Sequence, residues 1–114
     1  MHKDHPNLTP EVNNAIQESE LAGGIWWRGL PVGSVVQVQT ANTLYRLEKR
    51  EDGDYISGNQ KYCPEPTKVS IHGSTWGGSM LKIGFLGMAM YLEFSVEGHG
   101  TITTSLMSNV ERLL

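Results

Sequence analysis

From Pro31 onward, apolar and polar residues alternate in short runs separated by turn-forming pairs, and this two-residue period constrains the fold more than any other feature. In a hairpin the turn fixes which residues face each other, and correct pairing puts the apolar ones on one side. A two-residue turn at Ala41-Asn42 sets Val38 opposite Tyr45 and Val36 opposite Leu47, with Gln37 and Arg46 on the other face. A turn at Asp52-Gly53, the strongest hairpin dipeptide in the chain, sets Lys49 by Ile56 and Leu47 by Gly58. A turn at Gly87-Met88 sets Phe85 by Met90, Ile83 by Leu92 and Leu81 by Phe94; Lys82 then meets Glu93 and Gly84 meets Tyr91 on the reverse face. A loop Gly98-His99-Gly100 places Val96 by Ile102, Phe94 by Thr104 and Leu92 by Leu106. Val69 and Ile71, with Lys68 and Ser70 between and beside them, add one further alternating strand.

These registers predict an all-β fold: a small antiparallel meander of about seven strands that closes as a barrel or roll, with a two-sheet β-sandwich as the alternative. One short helix is expected ahead of it. Thr9 can cap, Pro10 suits the first helical position, Val12, Ala15 and Ile16 form a thin apolar stripe, and Gly23-Gly24 ends it. The chain of 114 residues is the size of a single domain, with 1–24 as the helical segment and 31–110 as the strand body.

The charge is unevenly placed. The net −3 comes from residues 1–22, where Lys3 stands against Asp4, Glu11, Glu18 and Glu20; the body is neutral. A neutral body offers no electrostatic footprint for a phosphate backbone, so nucleic acid is not an expected partner. No run approaches the ~20 apolar residues of a membrane helix, so no membrane partner is expected either. The start of the chain lacks a basic segment followed by an apolar one, and Cys63 is the only cysteine. Both point to a cytoplasmic, reducing location.

The stretch His72-Gly73-Ser74-Thr75-Trp76-Gly77-Gly78-Ser79-Met80-Leu81-Lys82 looks like a ligand loop. It is not a phosphate-binding Gly-Lys-Ser/Thr loop, because serine follows Gly78, and the next residues alternate as a strand rather than opening a helix. It reads as a glycine-rich turn, with Trp76, Ser74 and Ser79 as its candidate ligand contacts. Trp26-Trp27-Arg28 is the second candidate: one tryptophan is expected in the core and the other on the surface, with Trp27 and Arg28 able to meet a ring and an anion. For catalysis the weak candidates are His72 as base with Cys63 or a hydroxyl as nucleophile. Cys63 otherwise reads as a small buried hydrophobe and His99 as a solvated loop residue. His2 and His5 lack the further ligands of a metal site, so neither a metal nor a cofactor is expected.

Between Val69 and Leu92, Lys82 is the only permanently charged side chain. With Leu81, Ile83 and Phe85 inside, Met80, Leu86 and Met88 would lie outside on a sheet that needs covering, which predicts a homo-oligomer. The functional expectation is a β-module, more simply non-enzymatic than enzymatic, that binds a small polar ligand or a protein partner and self-associates. The alternatives are a small hydrolase or transferase built on His72, and a purely structural assembly subunit.

Overall fold

The computed structural model of the protein describes residues 23–76 and 80–114. The expected helix falls on residues outside that range except for its terminal glycines. It is not borne out: among the described residues there is no α-helix, and Gly24 opens a strand.

The described elements are β1 (Gly24–Trp26), a 3-10 turn (Trp27–Gly29), β2 (Val35–Thr40), β3 (Leu44–Arg50), β4 (Gly53–Ser57), β5 (Thr67–Thr75), β6 (Leu81–Ile83), β7 (Phe85–Gly87), β8 (Tyr91–Val96) and β9 (Gly100–Arg112). All pairings are antiparallel, as expected, though the strands exceed the seven counted from the sequence. The larger sheet runs β4-β3-β2-β9-β8-β5-β6, and β4 also pairs with β5. That last pairing closes β2, β3, β4, β5, β8 and β9 into a ring of six strands. β6 extends β5 outside the ring, and β1 pairs with β7 as a separate two-stranded sheet.

The first hairpin has the expected register, with Val36 opposite Leu47 and Val38 opposite Tyr45. The second turns two residues' worth of register earlier, at Glu51-Asp52, so that Leu47 faces Ile56 and Arg46 faces Ser57. Both Leu47 and Ile56 are fully buried, and this apolar match outweighs the local preference of Asp-Gly for the turn centre. Gly53 instead starts β4 at a positive φ of 144°.

The hairpin expected at Gly87-Met88 does not form. β6 pairs with β5, β7 with β1, and β8 with β5 and β9. Gly84, at φ 74°, breaks the run into two short strands that leave in different directions, under the side chain of Arg28 and not opposite Tyr91. The expected placement therefore fails for Leu81, Ile83 and Leu86 but holds for Phe85, which is buried. Leu86 is fully buried, whereas Leu81 is 38% and Ile83 58% exposed. Lys82 does not face Glu93; it lies opposite Ser74, with its ammonium over the rings of Trp26 and Phe85. At the last hairpin the loop is Glu97-Gly98-His99, Phe94 faces Ile102, and a bulge puts Tyr91 opposite Leu106.

The core fills the ring from alternate positions of its strands: Val36 and Val38, Tyr45 and Leu47, Ile56, Val69, Leu92, Phe94 and Val96, and Met107. Trp27 closes one side of it. Its ring is buried, and its Nε1–H donates to Asp54 Oδ2 at 2.9 Å.

Candidate functional site

Of the candidate ligand contacts in the glycine-rich stretch, one is turned inward. Ser74 is fully buried; its hydroxyl donates to the Phe85 carbonyl and accepts from the Gly87 N–H at 3.0 Å, so it ties β5 to β7 and cannot meet a ligand. Ser79 lies outside the described residues. Trp76 is partly buried and packs against the core. The Oγ1 of Thr75 is buried with no hydrogen-bond partner among the described residues.

The tryptophan pair splits as expected, Trp27 into the core and Trp26 to 53% exposure. Trp27 is consequently a structural plug and not a stacking platform. Arg28 is exposed, its backbone N–H bonded to the Gly84 carbonyl. Cys63 is buried, with backbone hydrogen bonds to Asn59 and Gly58, and burial pushes its thiol above the usual range. His99 is exposed beside the Tyr62 ring. Cys63 and His72 are not brought together: the one lies in the core, the other on the outer face of β5.

His72 has found a hydroxyl instead. Its Nδ1 lies 2.8 Å from Glu93 Oε2 and its Nε2 3.0 Å from Ser95 Oγ. The backbone explains how. β5 and β8 pair with Ser70 opposite Ser95 and Ile71 opposite Phe94; then the register slips, so that Gly73 faces Glu93 and His72 is the extra residue of a bulge. A bulge re-aims a side chain, and here it turns the imidazole into the space between Glu93 and Ser95, which share a face as residues two apart on one strand. Gly73 makes the bulge possible. Its φ is 139°, and a Cβ there would collide with the Lys82 carbonyl of β6. The His72 carbonyl is held in turn by the Gly84 N–H at 2.8 Å.

Beside this cluster, on the same outer face, lies a groove of about 290 Å³ lined by Lys68, Val69, Ser70, Ser95, Val96 and Glu97. Beneath it Val69 and Val96 face each other across the strands and turn their side chains into the core, while the Ser70–Ser95 pair next to them lies on the outer face. The groove's walls supply two hydroxyls, an ammonium and a carboxylate. Among the described residues Lys68 makes a long, exposed contact to Asp52 at 3.9 Å, which solvent screens strongly. Among the described residues no group of three or more potential metal ligands gathers.

Of the residues gathered here, His72 is a candidate from the sequence, whereas Glu93, Ser95, Ser70 and Lys68 are not. Period two along β8 places Glu93 and Ser95 on one face, so that half of the signal was present. The bulge that joins them to His72 was not. Compared with known proteins, the chain matches no family model, no curated protein and no solved structure. No helix among the described residues is long and apolar enough to cross a membrane.

Proposed function

We propose that this protein is a small β-module, its six-strand ring read as a small barrel, that binds a small polar ligand in the groove between β5 and β8. The observation that carries this reading is the groove itself: hydroxyl, ammonium and carboxylate groups converge on the outer face of β5 and β8, next to a histidine held by two hydrogen bonds. In binding sites a few placed polar groups fix a ligand's orientation, and a volume near 300 Å³ sits at the small end of their range. A ligand carrying both a hydrogen-bonding hydroxyl or amine and an anionic group would match Ser70, Ser95 and Glu97 with the first and Lys68 with the second. The lone buried thiol suits a reducing, cytoplasmic location.

The test is an amide chemical-shift titration with single small probes: glucose, glycine, citrate and inorganic phosphate. The reading expects at least one of them to shift the amides of Lys68, Ser70, Ser95 and Glu97 together and saturably. Shifts scattered over the surface, or none with any probe, would remove it.

A second reading, self-association, has its own observation. Leu81 and Ile83 project from one face of β6, both exposed and apolar, and a second copy of the chain could cover them.

A further inference from the structure

The geometry points to Ser95 as an acyl acceptor, with His72 as its general base and Glu93 as the residue that positions His72, and to a small carboxylic ester as the substrate class. This inference rests on the groove being the ligand site and adds a reaction to it.

The roles follow from the atoms. An ionised carboxylate only accepts, so the proton on His72 Nδ1 is directed to Glu93 Oε2. In the neutral imidazole Nε2 then lacks a proton and accepts from the Ser95 hydroxyl, 3.0 Å away. That is the arrangement in which a histidine can take a serine proton, and it is recognised on unrelated folds by geometry and roles, not by chain order. The His72 and Glu93 side chains are 28% and 19% exposed, so the pair is partly withdrawn from water while Ser95 lines the open groove. A structural account of the bulge needs only an outward-turned residue; it does not need an imidazole bonded through both nitrogens.

The step balances without any further reagent than water. Ser95 Oγ attacks the ester carbonyl carbon while its proton passes to His72 Nε2; the carbon–oxygen bond to the alcohol breaks and His72 returns the proton to the departing oxygen. Water then attacks the acyl-serine, giving its proton to His72. The acyl carbon–Oγ bond breaks, and the proton restores the hydroxyl as the carboxylic acid leaves. Ser95 is paired on both sides, with Ser70 and Thr101, so its strand backbone is committed to the sheet. Donors for the developing oxyanion therefore come from side chains lining the groove, the Ser70 hydroxyl and the Lys68 ammonium. They serve both half-reactions alike; an ester with an activated leaving group acylates Ser95 faster than water releases it, so the acyl-serine accumulates.

The experiment treats the full chain with p-nitrophenyl acetate, measures nitrophenol release, and locates acetyl groups by peptide mass spectrometry. Expected is a stoichiometric burst with acetyl on Ser95, lost in Ser95→Ala and slowed on the order of 10²-fold in His72→Gln. Glu93→Gln should slow the burst and also change its pH profile, a readout that a merely structural role would not move. Amide spectra of each variant check folding, and a labelling rate in wild type that is independent of His72 and Ser95 overturns the inference. 4-Nitroacetanilide, an amide too stable to acylate the serine, separates the two readings. If it shifts the groove amides while p-nitrophenyl acetate leaves Ser95 unmodified, the reaction is refuted and the groove stands; if neither compound acts at the groove, both fall.

Discussion

The indole N–H of Trp27 donates to Asp54 Oδ2 across 2.9 Å, joining the 3-10 turn to the start of β4. Trp27 is 2% exposed, so this one bond satisfies a buried donor that has no water to turn to. Asp54→Ala should cost about 1–3 kcal/mol, the usual penalty of an orphaned buried polar group, while Asp54→Asn keeps an acceptor and costs less. Urea unfolding of the two variants side by side checks the order.

Gly73 is expected to be the least replaceable glycine near the site. Gly73→Ala meets the Lys82 carbonyl and must also hold a backbone conformation costing on the order of 1–3 kcal/mol for a residue with a Cβ. Because the bulge aims His72, the variant should also lose the His72–Glu93 contact. Gly29→Ala, with open space around it and no positive φ, should stay within about 0.5 kcal/mol of wild type. Thermal melts report the first effect and the His72 ring resonances the second.

Cys63 gives a pH dependence of known sign. Burial raises its thiol above the ordinary value, and the hydrogen bond with the Asn59 backbone only partly opposes this. A raised folded value favours the protonated form, so the contribution is complete below the unfolded value and is lost as pH rises through the folded one. Stability should therefore decline through the alkaline range more steeply in wild type than in Cys63→Ala. Alkylation of native Cys63 at pH 8 should be slow and should accelerate with unfolding by urea.

Leu81 and Ile83 give the self-association reading its handle. Ile83→Lys places a charge at a position already 58% exposed, so the isolated fold should tolerate it. The prediction is a lower mass than wild type in sedimentation at equal concentration. Identical masses for the two proteins would set that reading aside.

Strand positions were legible where side chains alternate, and the Val36–Leu47 and Val38–Tyr45 pairs followed from arithmetic alone. Register was legible only where two strands are joined by a regular turn and both faces differ in polarity. At Glu51-Asp52 a local turn preference misled, because the burial of Leu47 against Ile56 contributes more than the choice of turn dipeptide. At Gly84 the alternation from Leu81 to Leu86 imitates one strand. The left-handed backbone of a single glycine divides it, and nothing in the periodicity marks that glycine apart from its neighbours. The site depended on an event of the same kind. His72 precedes Glu93 by 21 residues and Ser95 by 23, and one inserted residue in β5 decides that they meet.

The account stands on the state of the His72 ring, and its nitrogen chemical shifts measure that state directly. In uniformly ¹⁵N-labelled protein at alkaline pH, long-range proton–nitrogen correlation spectra distinguish the two tautomers. The structure predicts the proton on Nδ1, facing Glu93, with Nε2 bare and accepting from Ser95, and predicts that Glu93→Gln weakens this preference. A proton found on Nε2 would mean that Ser95 accepts where it should donate, and the candidate site would lose its base.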